Sequence, residues 1–228
     1  MRIDFEHAGQ PVMLHGFDGD HISKVVERTG DFYELSMLEY AAALEPYGTV
    51  VDVGANIGNH TVFFGMFTPA ERIVAIEPYS PAADLLERNI KANKIGDKVV
   101  QHTCAVGIAN EGLQLIPGKF TNRGHTSVRK VWGYGEMTAR PLSELVTDEE
   151  VSMVKIDVEG YELEVLVGAL ELITAQHPAL FVEASSRRRQ REIGGLLSSV
   201  GYYSGIRVSS GTKTFAYLPR NRDRKVIQ

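Results

Sequence analysis

The stretch that decides the fold is Thr49-Val50-Val51-Asp52-Val53-Gly54-Ala55-Asn56-Ile57-Gly58. Its first half is apolar apart from Thr49 and Asp52, which predicts a buried strand. A turn bounded by two glycines follows, and residues 59–67 then place apolar side chains at helical spacing. A strand, a glycine turn and a helix in this order are typical of the ligand-binding edge of an open α/β sheet.

Strand-like and helix-like segments alternate along most of the chain. Short, nearly continuous apolar runs predict parallel strands that are covered on both faces, at residues 49–53, 72–76, 98–102, 153–157 and 179–183. Helical spacing lies between them, at residues 80–90, 163–173 and 193–200. Ser80 before Pro81 predicts a helix N-cap, and Gly201 predicts a helix end. This alternation predicts a doubly wound α/β fold with a mostly parallel sheet.

The two ends of the chain have different patterns. Residues 202–208 and 212–218 are strand-like and are joined by Ser209-Ser210-Gly211, which predicts a C-terminal antiparallel hairpin. Residues 1–48 contain strand-like pieces and then a helix over 35–44. We therefore expect an N-terminal extension (1–48), a principal domain (49–219) and a basic tail (220–228).

Composition narrows the class of protein. The 228 residues are 43% hydrophobic and 23% charged, which is ordinary for a soluble domain. The net charge of -5 argues against nucleic acid as an obligatory partner. The single cysteine, Cys104, excludes an intramolecular disulfide, and no stretch approaches the ~20 apolar residues that cross a bilayer. The first residues lack the apolar core of a signal peptide. We expect a cytoplasmic protein.

The glycine turn indicates the kind of ligand. Glycines let a backbone approach a ligand closely, because no Cβ intervenes. Dinucleotide folds carry Gly-x-Gly-x-x-Gly, in which the second glycine makes room for a pyrophosphate, but Asn56 occupies that position. The turn therefore disfavours an NAD-dependent oxidoreductase and favours an adenosine ligand without phosphates. Glu77 ends the second strand, where a carboxylate can accept hydrogen bonds from both ribose hydroxyls. A tight turn and a solvated charge are the structural alternatives.

Three motifs resemble those of FkbM-type methyltransferases, namely Val51–Gly58, Ile76-Glu77-Pro78 and Lys155-Ile156-Asp157-Val158-Glu159-Gly160-Tyr161-Glu162. The resemblance extends from residue 49 to residue 183, about three fifths of the chain. It implies a Rossmann-like class I methyltransferase fold over the principal domain and S-adenosyl-L-methionine as cofactor. It also implies O-methylation of sugars or polyketide-type natural products.

The cofactor-binding residues are expected around the glycine turn and at the ends of the next two strands. They are Asp52, Gly54, Ala55, Asn56, Gly58, His60, Glu77, Pro78, Cys104, Ala105 and Val106. The resemblance implies an adenine contact for the last three, although Cys104 is equally suited to be a small buried apolar residue. We expect His60 to pack near the cofactor rather than to react.

Acidic residues after the later strands are candidates for the chemistry. Asp157 is the first candidate for a general base or substrate orienter, and Glu159 is the second. In the alternative interpretation, Glu159 caps the helix that starts near Tyr161. His125, in the polar loop 122–127, titrates near neutrality and is a third candidate base.

Two further acids are candidates for contact with the substrate. Glu183 ends the fifth strand and can face the acceptor or serve a scaffold ion pair, and Glu34 can close over the site from the extension. We predict no metal ion, because Asp157 and Glu159 lack an evident third ligand.

Three functions stay open at this point. The resemblance favours an O-methyltransferase acting on a small molecule. An RNA or protein methyltransferase would need the basic runs 187–191 and 220–225 to flank the crevice, although a solvated helix start and a tail also explain them. A catalytically inactive cofactor-binding scaffold is the third.

Overall fold

Parallel strands covered on both faces form the centre of the molecule. A computed structural model describes residues 1–116, 127–131, 135–147, 150–209 and 212–220. The described strands are β1 (Arg2–His7), β2 (Gln10–His15), β3 (Thr49–Val53), β4 (Arg72–Ile76), β5 (Val99–His102), β6 (Ala105–Val106), β7 (Gly112–Ile116), β8 (Ser127–Lys130), β9 (Met137–Arg140), β10 (Val151–Ile156), β11 (Ala179–Glu183), β12 (Ile206–Arg207) and β13 (Thr214–Tyr217). The described helices are α1 (His21–Thr29), α2 (Leu35–Ala43), α3 (Asn59–Phe67), α4 (Ser80–Ala92), α5 (Glu162–Gly168), α6 (Leu170–Gln176), α7 (Arg187–Ser199) and a 3-10 turn over Leu142–Glu144.

The main sheet in the described residues has the strand order β12-β13-β11-β10-β3-β4-β5. The five strands from β11 to β5 run parallel, while β13 pairs antiparallel with both β11 and β12. The predicted parallel sheet and its C-terminal hairpin are therefore confirmed, with shorter hairpin strands than expected. The chain runs from β3 to β4 and β5 on one side and later returns to β10 on the other side of β3. This reversal of strand order places a crevice at the carboxyl end of β3.

Helices cover both faces of this sheet. Successive residues of a strand point to opposite faces, so Val50 and Met153 pack in one hydrophobic cluster while Val51 and Val154 pack in another. The first cluster includes residues of α1 to α4, and the second includes residues of α5 to α7. The doubly wound α/β architecture is confirmed.

The N-terminal extension packs on the sheet through the first cluster. Ile3, Leu14 and Met37 share that core with Phe63 of α3. Asn89 of α4 is fully buried and joins the extension to the glycine turn: its Oδ1 accepts from the amide of His15 at 2.6 Å, and its Nδ2 donates to the carbonyl of Ile57 at 2.7 Å. Residues 1–48 therefore help to hold the turn in place.

Several local expectations were wrong. Ser80 is the first residue of α4 rather than its N-cap, which is Tyr79. Residues 163–173 lie in two helices, because the helix is interrupted at Ala169. α5 ends at Gly168, where the backbone of Gly107 packs so closely that a Cβ would overlap it. α1 was not predicted, although Asp20 caps it through a hydrogen bond to the amide of Ile22 at 3.1 Å.

A second sheet was not predicted either. Its order is β6-β9-β7-β8, and its strands have two to five residues. Strands this short give little periodicity in the sequence. In the described part of the chain, no helix has the length and hydrophobicity needed to cross a membrane.

Candidate active site

The glycine turn is held at the carboxyl end of β3 by backbone contacts. The amides of Gly54 and Ala55 both donate to the carbonyl of Ile76 on β4, at 2.9 and 3.0 Å. Gly54, Asn56 and Gly58 have φ values of 76°, 51° and 89°, a left-handed region that favours glycine. The turn therefore has a backbone conformation that glycine adopts readily, asparagine less readily and most other residues rarely.

The two glycines are required by the protein's own packing. A Cβ on Gly54 would overlap the carbonyl oxygen of Asp157, and one on Gly58 would lie 2.6 Å from Cδ1 of Leu86. The sequence interpretation attributed both glycines to close approach of a ligand. The structure adds a packing reason, because Asp157, which follows β10, lies against Gly54, and Leu86 of α4 lies against Gly58. Close approach of a ligand to these glycines stays a prediction.

Glu77 lies under the turn, at the end of β4. Its Oε2 accepts from the amide of Asn56 and its Oε1 from the amide of Tyr79, each at 2.8 Å. The side chain lines the cleft and is nearly buried, and this burial raises the pKa of Glu77 to about 7. Each carboxylate oxygen keeps a second lone pair, so the group can hold the turn and accept from a ribose hydroxyl as well.

A cleft of about 830 Å³ opens above these residues. Its cofactor half, as we name it, consists of residues 54–57, 77–79 and 104–106; the predicted cofactor residue Gly58 does not line the cleft. Ala105 and Val106 are buried, while Cys104 is half-buried with a pKa raised by burial. Ligand pockets are typically lined by apolar side chains with few polar groups. Apolar side chains and a buried carboxylate in one cleft fit an adenosine, and Pro78 lines the same cleft beside Glu77.

Asp52 supports the turn from below. It is fully buried; its Oδ2 accepts from Thr61 Oγ1 at 2.7 Å, and Lys155 Nζ lies 3.0 Å from its Oδ1. Burial alone would raise the pKa of Asp52, but the charge of Lys155 holds it below its usual value. The carboxylate of Asp52 contacts only Thr61 and Lys155 among the contacts described here, so it would act on a cofactor indirectly, through the position of the turn.

Lys155 connects the two sides of the cleft and was not singled out in the sequence. Its Nζ also donates to the carbonyl of Gly54 at 2.8 Å and lies 3.8 Å from Asp157 Oδ2. Burial opposes its charge, yet the carboxylates of Asp52 and Asp157 raise the pKa of Lys155 to about 12. A lysine between apolar residues of a predicted strand was the signal that could have identified it.

Three carboxylates meet beside this lysine. Oxygens of Asp157, Glu159 and Glu183 all lie within 4.8 Å of one another, and we call this group the acidic cluster. Burial, and then the neighbouring charge and hydrogen bond of Asp157, raise the pKa of Glu183 well above its usual range. Glu159 has a left-handed backbone with φ 52°, and the amide of Gly160 donates to Glu162 at the start of α5.

Glu183 changes the argument about a metal ion. The expectation of no metal depended on the lack of a third ligand, and that premise was wrong, because β11 pairs with β10 and brings Glu183 to Asp157 and Glu159. Carboxylate oxygens at this spacing can hold a hard cation. The absence of a metal stays a prediction.

The extension supplies the opposite wall of the cleft. Asn59 fixes Tyr33 by accepting from its amide and donating to its carbonyl, both at 3.1 Å. Tyr33 lines the cleft, and burial together with the charges of Glu34 and Asp157 raises the pKa of its hydroxyl. Nothing in the sequence around Tyr33 marks it as part of a site.

Glu34 joins the extension to the C-terminal hairpin. Its side chain is only 3% exposed; its Oε1 accepts from Thr212 and Thr214, and its Oε2 lies 3.4 Å from Nε2 of His60. Burial and the charge of Lys155 lower the pKa of His60, which lines the cleft as a neutral ring. We call Tyr33, Glu34, His60 and the acidic cluster the acceptor half.

The described residues do not include every predicted site residue. His125 and its loop lie outside the described residues, as does the tail after Arg220. The other basic run begins α7, where Arg189 Nη2 donates to the carbonyl of Gly160 at 3.0 Å. That contact secures the loop that carries Glu159.

A family model for the methyltransferase FkbM domain matches residues 52–214. The hexuronic acid methyltransferase AglP of Haloferax volcanii is 27% identical over 177 residues, which cover 75% of this chain and 70% of AglP. The methyltransferase sdnD of Sordaria araneosa is 27% identical over 156 residues, which cover 54% of this chain and 60% of sdnD. The match therefore spans less than two thirds of sdnD.

The fold is also found in a solved structure. The crystal structure of methyltransferase FkbM from Methylobacillus flagellatus superposes with a TM-score of 0.55 at 22% identity. The superposition covers 75% of this chain and 43% of that one. At this level of identity the likeness shows the Rossmann-like class I methyltransferase fold.

Proposed function

The chain belongs to the FkbM methyltransferase family, and we propose that it transfers a methyl group from S-adenosyl-L-methionine to a hydroxyl group of a sugar or another small natural product. The observation that carries this proposal is the cleft in which an adenosine-type half and an acidic half meet at Lys155. The relative AglP is named for a hexuronic acid acceptor, which supports a carbohydrate.

The cofactor half suits a nucleoside that carries no phosphates. Glu77 accepts hydrogen bonds from the ribose hydroxyls, the turn residues 54–57 face the methionine portion, and residues 104–106 face the base. In a dinucleotide fold the pyrophosphate lies against the second glycine of the turn, and Asn56 occupies that position here. This difference disfavours dinucleotides.

The acceptor half positions a hydroxyl and removes its proton. When bound, S-adenosyl-L-methionine supplies an electrophilic methyl group that the acceptor oxygen takes from sulfur. Asp157 accepts the hydroxyl proton as the new carbon–oxygen bond forms and the carbon–sulfur bond breaks. Burial, and then the neighbouring Asp157, raise the pKa of Glu183 beside it. Placement alone can contribute ~7–11 kcal/mol of barrier reduction, while a base adds ~10²–10⁴-fold in rate.

Calorimetric titration of the protein with S-adenosylhomocysteine and, separately, with NAD tests the cofactor. We expect saturable binding of S-adenosylhomocysteine with one molecule per chain, and no binding of NAD. Binding of NAD instead would overturn the proposal.

Transfer of a labelled methyl group to a panel of glycosides and hydroxylated natural products tests the reaction. Cofactor binding without transfer to any class of acceptor would identify an inactive scaffold. Transfer to RNA with strongly salt-dependent binding would identify a nucleic-acid enzyme. We do not expect that result, because the acidic cluster repels a polyanion.

A further inference from the structure

We propose that Asn89 of α4 is a positioning residue of the cofactor site, which fixes the glycine turn relative to the N-terminal extension. This inference rests on the proposed function, because it specifies how the turn is held ready for S-adenosyl-L-methionine. It starts from a fully buried side-chain amide that lies outside the three sequence motifs.

Both polar atoms of this amide are hydrogen-bonded within the protein. Oδ1 of Asn89 accepts from the backbone amide of His15 at 2.6 Å and lies 3.1 Å from Nδ1 of the same residue. Nδ2 donates to the carbonyl of His15 at 2.9 Å and to the carbonyl of Ile57 at 2.7 Å. A buried amide is costly unless its hydrogen-bonding groups are satisfied, so Asn89 holds both backbones at fixed positions. The amide therefore bridges β2 and the glycine turn.

A second asparagine of α4 holds the extension without the turn. Oδ1 of Asn93 accepts from the amide of Met13 at 3.0 Å, and its Nδ2 donates to the carbonyl of Met13 at 2.7 Å. Four residues of a helix rise about 6 Å and two residues of a strand about 7 Å, so the two asparagines match alternate residues along one edge of β2. Among the described contacts of these two side chains, the one with Ile57 belongs to Asn89.

Ile57 connects Asn89 to the cofactor half. Ile57 lines the cleft, and the amide of the preceding residue, Asn56, donates to Glu77 at 2.8 Å. A shift of the Ile57 carbonyl would therefore also move the amide that holds Glu77, the residue proposed to bind the ribose. Asn89 is not among the residues that line the cleft, so it acts on the cofactor through the turn.

The bridge links cofactor binding to the docking of the extension. A ligand that favours one position of the turn also favours the contacts that the turn makes, and this coupling acts equally in both directions. Bound cofactor should therefore stabilise the hydrogen bonds between Asn89 and β2 at His15. The bonds between Asn93 and Met13 do not include the turn and should respond less.

A matched pair of variants tests the role of Asn89. Asn89→Ala and Asn93→Ala each remove the side-chain bonds to the amide and carbonyl of one β2 residue, so both should lower the melting temperature. Only Asn89→Ala also loses the bond to Ile57. Its affinity for S-adenosylhomocysteine should fall ~2–13-fold, the range for one hydrogen bond, while Asn93→Ala should bind as the wild type does. Calorimetric titration well below both melting temperatures measures the affinities.

Hydrogen exchange in the wild-type protein tests the bridge without a substitution. The amides of His15 and Met13 lie two residues apart on β2 and donate to Asn89 and Asn93, respectively. Saturation with S-adenosylhomocysteine should slow exchange of the His15 amide, measured by NMR, more than exchange of the Met13 amide. This measurement decides the question if Asn89→Ala fails to fold.

Three results would overturn the inference. They are wild-type affinity in a folded Asn89→Ala variant, an equal loss of affinity in both variants, and equal slowing of the two amides. The last two would assign the effect to docking of the extension as a whole. Failure of the wild-type protein to bind S-adenosylhomocysteine would instead contradict the proposed function, and the first titration would show it.

Discussion

The cofactor half is formed by short segments of the chain, whereas the acceptor half combines residues that are up to 150 positions apart, from Tyr33 to Glu183. In the cofactor half, backbone amides satisfy the one carboxylate, Glu77. In the acceptor half, several carboxylates lie close together, and burial and these neighbours raise the pKa of Glu183 and of the Tyr33 hydroxyl.

The difference separates two tasks. A cofactor that all members of a methyltransferase family share can be held by backbone shape, which tolerates few substitutions. An acceptor is selected by side chains, which can change without altering the turn. Lys155 lies at the junction and contacts both halves, so its removal should affect both.

The largest expected effect is that of Lys155→Met. The variant leaves Asp52 buried without its cation, and breaking a buried ion pair in this way costs about 3–5 kcal/mol of unfolding free energy. Chemical denaturation measures the loss. The double variant Asp52→Asn/Lys155→Met removes both charges and should recover part of it. Stability equal to the wild type in Lys155→Met would show that this buried ion pair does not stabilise the fold.

Asp157→Asn tests the acceptor half alone. The change keeps the shape of the side chain and removes its charge, so turnover should fall ~10²–10⁴-fold while S-adenosylhomocysteine binding changes little. Steady-state kinetics and calorimetry measure the two effects. If Asp157 only orients the acceptor, KM should rise as well; if it is structural, the melting temperature should fall and the rate should persist. Near-normal turnover would move the role of base to Glu159 or His125.

Gly54→Ala tests the shape of the cofactor half. Gly9 has the same φ of 76° with open space around it, so Gly9→Ala is a control with equal backbone strain. The overlap with the carbonyl of Asp157 should cost Gly54→Ala about 1–3 kcal/mol more than the control, and S-adenosylhomocysteine binding should weaken only at Gly54. Thermal denaturation compares the two variants. Equal losses of stability would mean that the backbone at Asp157 shifts to accept the Cβ with no loss of unfolding free energy.

The smallest expected effect concerns pH and Glu77. Burial raises the pKa of Glu77 to about 7, so below pH 7 the carboxyl holds a proton and loses an acceptor for the ribose hydroxyls. Affinity for S-adenosylhomocysteine should therefore rise about tenfold between pH 6 and pH 8, if only the ionised form binds. Glu77→Gln should bind ~10–150-fold more weakly at pH 8 and lose this pH dependence. An equal affinity of the wild type at both pH values would exclude the ionised carboxylate from the ribose contact.

The sequence by itself determined the doubly wound sheet, the glycine turn and Glu77. These depend on neighbours in the chain: apolar runs form strands, a turn follows β3 directly, and the carboxyl ends of parallel strands share one edge. The local signals of α1 were also present, at Asp20 and Gly30, but the expected strand-like pieces obscured them.

Only the tertiary structure decided which side chains meet. The pairing of β10 with β11 makes Glu183 a neighbour of Asp157, and Asn59 draws Tyr33 into the cleft from the extension. Contacts between residues this far apart depend on strand order and on packing, which no periodicity encodes. The packing around Gly54 and Gly58 likewise became visible only in the tertiary structure, because the atoms that a Cβ would overlap belong to Asp157 and Leu86.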